Sequence, residues 1–189
     1  MMEKEKKRQM MNSSFEDSDY QGAPKTWKML SDELLKTQLS LINPRYNLGK
    51  GYKSNCVNCV IAYELRQRGY DVIARSSDEC NVRRKATDAW YNVKEQVAES
   101  FSDVINKIDL NCTARYFLGI KYPNGDGHAV VLEVSDQRAF VIDAQIGKKY
   151  SISSLEKTSK NRFSFWRIDN LEITQTGYNA CEGGSDYDV

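Results

Sequence analysis

Three side chains carry the most chemistry. Cys56 stands where a Gly- and Asn-rich stretch, NPRYNLGKGYKSN (43–55), runs into CVNCVIAYELRQRG. That segment reads as a helix, with Val57, Val60, Ile61 and Leu65 on its apolar face, Arg66 and Arg68 toward water, and Gly69 as its stop. A helix N-terminus carries about half a positive charge and unclaimed N–H groups, which favour a thiolate and can also hold an oxyanion formed beside it. His128, the chain's only histidine, opens the strand HAVVLEVS (128–135), and Asp143 closes the next, RAFVIDA (138–144). A tight antiparallel hairpin around SDQ brings the start of one strand beside the end of the other. A carboxylate there orients the imidazole and fixes its tautomer. Cys56, His128 and Asp143 together make the parts of a nucleophile, a base and an orienting acid.

Cys59, one turn along the helix, leaves the choice of thiol open. It packs beneath Cys56 as a small hydrophobe, is itself the nucleophile, or joins Cys56 in a redox C-x-x-C pair. Thioredoxin-like folds place a strand directly before such a motif, and 43–55 is no strand. Zinc is a further alternative, through Cys56, Cys59, Cys80 and Cys112, but structural zinc normally takes two close pairs, and Cys80 and Cys112 stand alone. The expected site therefore holds no metal and no cofactor.

The elements that must position these groups follow from periodicity. Leu30, Leu34, Leu41 and Ile42 recur at helical spacing, with Asp32 and Glu33 in the first turn and Pro44 as the stop. YDVIA (70–74) is a short strand. A second helix is expected over about 85–107, with Trp90, Val93, Val97, Phe101, Val104 and Ile108 as its stripe. Then the period changes to two: RYFLGIKY (115–122), HAVVLEVS and RAFVIDA form an antiparallel meander, SISSLEK a short helix or turn, and FSFWRI (163–168) a last strand. Helices first and strands after give an α+β domain. Trp90 and Trp166 are expected in its core.

Composition narrows the classes. The 189 residues suit one domain: a disordered or linker tail over 1–24, a folded domain over 25–176 and a polar tail over 177–189. Lys and Arg number 27, Asp and Glu 26, a net charge of +1, which argues against a general nucleic-acid binder. There is no apolar run of membrane-spanning length and no apolar stretch of the kind a signal peptide needs. Five cysteines, an odd number spread along the chain, do not make a dense disulfide scaffold.

Four motifs in order carry a resemblance: Asn43–Tyr46 (N-P-x-Y), Asn55–Cys59 (N-C-x-x-C), Gly127–His128 and Asp143–Gln145 (D-x-Q). Over about residues 41–147 the chain resembles the bacterial polymorphic-toxin papain-fold domains of the glutamine deamidase family. The resemblance implies a papain-like cysteine hydrolase fold, with a nucleophile helix packed on an antiparallel sheet. It also implies a catalytic triad of Cys56, His128 and Asp143. Gln145 matches the family's Gln, either ordering the loop beside the triad or contacting substrate. Asn55 supports the oxyanion or, the preferred reading, caps the helix.

The implied activity is deamidation of glutamine side chains in a target protein, through a thioester. The same residues serve a cysteine protease or a transglutaminase-like acyltransferase, and a non-catalytic binding module or a redox protein is the remaining class. The resemblance further implies a toxin or effector, cytoplasmic in its producer or delivered into a target cell, with a cognate immunity protein as partner.

Overall fold

The computed structural model describes residues 32–77, 82–152 and 161–184. The expected tail over 1–24, Cys80 and most of SISSLEK lie outside them. Among the described residues the chain forms five α-helices and eight strands. Six strands make one antiparallel sheet in the order β2-β7-β3-β4-β5-β6: β2 (Gln96–Ala98), β3 (Ala114–Lys121), β4 (Gly127–Ser135), β5 (Arg138–Asp143), β6 (Lys148–Ser151) and β7 (Arg162–Arg167). The architecture is α+β.

The meander follows from alternation and turn chemistry. Along β3, Phe117 belongs to one apolar cluster while Tyr116, Leu118 and Ile120 belong to the other, so the sheet is covered on both faces. Asp136 and Gln137 both take positive φ, +50° and +60°, in a two-residue turn that suits the right-handed twist of a hairpin. That turn sets the register: Ser135 faces Arg138, and the ladder runs out to Val131 opposite Ile142. Continued one step, it leaves His128 and Asp143 diagonal neighbours on one face. FSFWRI is a strand, β7, but not the last one: β8 (Cys181–Gly183) follows it, and β7 lies inside the sheet between β2 and β3.

Helix α1 (Asp32–Ser40) ends before Pro44, and two short 3-10 turns, Tyr46–Leu48 and Lys50–Tyr52, lead to α2 (Cys56–Gln67). Gly69 at φ +92° closes α2, a conformation a side chain would strain. Every residue of α2 from Cys56 to Leu65 is buried, so the helix has no wet face along that stretch. Arg68 therefore does not face water. Its side chain is 3% exposed; it donates to Glu64 at 2.7 Å and to the carbonyls of Ile168 and Leu171, both at 2.9 Å. Glu64 also takes a two-pronged pair from the buried Arg115 of β3, at 2.6 and 3.0 Å. Burial would raise the Glu64 pKa, but Arg115 and Arg68 outweigh it and hold the carboxyl below its usual range. Tyr63 donates to Glu133 of β4 at 2.5 Å. These bonds lock α2 in rotation and height on the sheet.

The helix expected over 85–107 is not one element. Residues Val82–Thr87 form a short α3, Trp90 bridges to Ile173, Asn92 takes φ +57°, β2 follows, and α4 spans Phe101–Lys107 with Ser100 as its cap. The expected stripe is divided between the two faces of the sheet. Trp90 and Val93 pack in the cluster under α2, and Phe101, Val104 and Ile108 in the opposite one. One straight helix cannot reach both faces, and pairing of Val97 with Ser164 of β7 overrides helical spacing. Trp90 and Trp166 are core residues, packed edge-to-face at 6.2 Å.

Nor is the chain from 177 a tail. Helix α5 (Gln175–Asn179) and β8 (Cys181–Gly183) are folded, and β8 pairs antiparallel with β1 (Val72–Ala74). Tyr178, Ala180 and Cys181 supply apolar surface that the polar composition hides. A Cβ at Gly177 would come within 2.5 Å of Ile173 and 2.6 Å of the Ala89 carbonyl, so only glycine fits that contact. The last five residues, 185–189, lie outside the described chain.

Candidate active site

The site lies where the start of α2 meets the first residues of β4 and the end of β5. Asp143 Oδ2 accepts from His128 Nε2 at 2.7 Å. Its other oxygen accepts the backbone N–H of Gln145 at 3.1 Å and of Ile146 at 3.4 Å, so the turn after β5 fixes the carboxylate. With Nε2 engaged, Nδ1 is the ring nitrogen left for the neighbouring Cys56 thiol, which acts on the His128 pKa. The His128 side chain is 19% exposed and that of Asp143 8%. Burial alone would lower the His128 pKa, but the bond to Asp143 and the neighbouring Cys56 outweigh it and push it up to about 10. The imidazolium is thus the favoured form at neutral pH.

Cys56 is the first residue of α2 and is 5% exposed. No side chain caps this helix, which leaves its first-turn N–H groups beside the thiol as donors for developing negative charge.

Asn55 stands at the cap position but does not cap. Its Nδ2 donates to the Asn43 side chain at 3.2 Å and to the Arg75 carbonyl at 3.0 Å. Its Oδ1 accepts from Asn43 at 3.3 Å, from Gln145 Nε2 at 3.1 Å and from the Cys59 thiol at 3.3 Å. Tertiary partners have claimed the amide that sequence reasoning assigned to the helix. Asn43 completes the knot, donating to the carbonyls of Tyr52 at 3.0 Å and Gln145 at 3.1 Å. The loop before Cys56 and the loop after Asp143 are thereby tied together.

Cys59 is fully buried, and burial first, then the neighbouring Cys56, Cys181 and Asp143, push its pKa well above the ordinary thiol range. Cys112 lies apart, against the second cluster. Among the described residues no group of His, Cys, Asp and Glu is placed to hold a metal ion.

The structure adds groups that sequence reasoning did not single out. Tyr122 and Tyr150 flank the site. Burial raises both phenols, and Asp143, with Cys56 in the case of Tyr122, raises them further. Tyr122 could have been found from its place just before the PNGDG turn, which returns the chain to His128. The structural weight of Asn43 had a signal only in the N-P-x-Y motif. No protein-family model, curated protein or solved structure matches the chain.

Proposed function

We propose that the chain is a cysteine hydrolase of papain-like fold that converts glutamine side chains of a target protein to glutamate. One observation carries the reading: His128, bonded to the Asp143 carboxylate, neighbours a thiol at the start of a buried, uncapped helix. Cys56 is the nucleophile in this reading. Cys59, its thiol committed to the Asn55 oxygen, is packing.

Cys56 Sγ attacks the side-chain amide carbon, and first-turn N–H groups of α2 receive the oxyanion. The His128 imidazolium gives its proton to the departing nitrogen, and ammonia leaves a thioester. The neutral imidazole then takes a proton from water, which attacks the thioester. Glutamate is released, the sulfur departs as thiolate, and the His128 imidazolium is back in place for the next turnover. Asp143 keeps the ring oriented throughout. Gln145 and Asn55 hold the two loops in register.

The protein acts in this reading as a toxin or effector, cytoplasmic in its producer or delivered into a target cell. A cognate immunity protein covers the site where the toxin is made. No helix of the described residues is long and apolar enough to cross a membrane.

Wild type and Cys56→Ala are expressed in a heterologous bacterium and the host proteome is compared by mass. Sites gaining about one dalton only with wild type support deamidation. New peptide termini instead make the enzyme a protease, and amine adducts make it an acyltransferase. Identical proteomes and growth with the two proteins would overturn the enzyme reading.

A further inference from the structure

The two loops that bracket the site differ in charge from the rest of the chain. Segments 43–55 and 144–151 carry Arg45, Lys50, Lys53, Lys148 and Lys149 and no Asp or Glu, in a chain whose net charge is +1. They are joined through Asn43, which donates to carbonyls on both, and Lys148 stands opposite Asp143 in the β5–β6 ladder. Three of the five cations are engaged: Arg45 pairs with Glu182, Lys149 lies 4.3 Å from the centre of the Phe140 ring, and Lys53 lies over the ring of Tyr46, 5.6 Å from its centre. Lys50, Lys53 and Lys148 are exposed. Among the described residues none of the three is in an ion pair. The same loops expose Leu48 (72%) and Ile146 (37%). The acidic group of the third neighbouring loop, Asp126, is held by the Asn124 amide at 2.7 Å.

Like charge around a partly desolvated site selects partners of opposite sign. We propose that this rim binds an acidic segment of the target protein. Asp or Glu side chains on one flank of the reactive glutamine meet Lys50 and Lys53, those on the other meet Lys148, and an aliphatic neighbour rests on Leu48 or Ile146. This rests on the reading of Cys56 as the nucleophile of a glutamine deamidase. Three cations outside ion pairs are few for a nucleic acid, whose binders neutralise about 6–10 phosphates, and the aliphatic contacts suit a peptide.

The test measures ammonia release by the full chain from peptides of equal length, with glutamine flanked by Glu, by Ala or by Lys. For wild type, kcat/KM falls in that order, with at least a tenfold span at low salt. The span shrinks as the screening length drops from about 10 Å at 0.1 M salt to about 3 Å at 1 M. In Lys50→Glu/Lys148→Glu the order reverses. The ratio is read within one preparation, so partial misfolding of the variant does not alter it. Equal turnover of the three peptides, or an unchanged ratio in the variant, overturns the inference and leaves the deamidase reading standing. If no peptide is turned over, that reading fails, and anisotropy with labelled Glu- and Lys-flanked peptides decides the inference alone: preference for the acidic one sustains it, equal binding ends it. Tighter binding of an oligonucleotide than of the acidic peptide would also overturn it.

Discussion

Because His128 is the only histidine, its ring protons report on the site without ambiguity. A free imidazole titrates near 6.5, and here the midpoint stands at about 10. That rise of about 3.5 pH units corresponds to about 5 kcal/mol, at ~1.4 kcal/mol per unit. A neutral hydrogen bond contributes only about 1 kcal/mol net, so charged partners are required. Burial acts in the opposite direction, and Asp143 and Cys56 must overcome it. Asp143→Asn keeps the shape and removes the charge; Cys56→Ala removes the thiol. Each alone should bring the midpoint down. The double variant should fall below 6.5, because burial is then the main influence left.

Proton NMR titration of the ring C–H signal measures all four proteins. The linkage has a definite sign. A raised folded-state pKa stabilises the fold fully below about pH 6.5, and that contribution is lost as pH rises through about 10. The stability gap between wild type and Asp143→Asn, measured by denaturant unfolding, should close over the same window. Activity should decline on the alkaline side near pH 10, where the imidazolium can no longer protonate the leaving nitrogen. A wild-type midpoint within about one unit of 6.5, or a double variant that still titrates well above it, would refute the reasoning.

Cys56→Ala should abolish ammonia release with the circular dichroism spectrum unchanged, whereas Cys59→Ala should keep most of the activity and lose about 1 kcal/mol of stability in urea. His128→Ala should be as inactive as Cys56→Ala, and Asp143→Ala milder in single-turnover kinetics, because base and nucleophile remain. Glu64→Leu leaves Arg115 and Arg68 buried without their shared carboxylate, so it should cost about 3–5 kcal/mol in urea unfolding. Asn55→Ala removes the buried partner of the Asn43 side-chain oxygen and of Gln145 Nε2 and should cost about 2–4 kcal/mol, with a fall in kcat larger than any change in KM.

How far the sequence carried differs by element. The hairpin bearing His128 and Asp143 was readable because HAVVLEVS and RAFVIDA alternate cleanly and SDQ leaves little freedom of register. Helix α2 was readable from its apolar spacing and Gly69. Its surroundings were not: Arg68 looks like a solvent residue until Glu64 and the carbonyls of Ile168 and Leu171 close around it. Residues 85–107 misled because Trp90, Val93, Phe101 and Val104 fit one helical stripe, and spacing does not reveal that a sheet will pass between them. Asn55 misled for a related reason: a residue type suited to capping has an amide that partners distant in sequence can claim. Strand β8 was hidden by low hydropathy, since Cys181 is its one core residue and pairing with β1 supplies the rest.

The pairing of β8 with β1 bears on how the protein is made. Strand β1 follows the helix that carries Cys56, yet its strand partner is Cys181–Gly183. On the ribosome that helix emerges early and waits while more than a hundred further residues are translated. His128 and Asp143 also arrive long before the edge is sealed. The fold around the thiol is completed only when the end of the described chain is free of the exit tunnel. A nascent chain, or one cut short before Thr174, lacks that closure. The closing step around the thiol is thus a late one, reached only once Cys181–Gly183 has emerged to pair with β1.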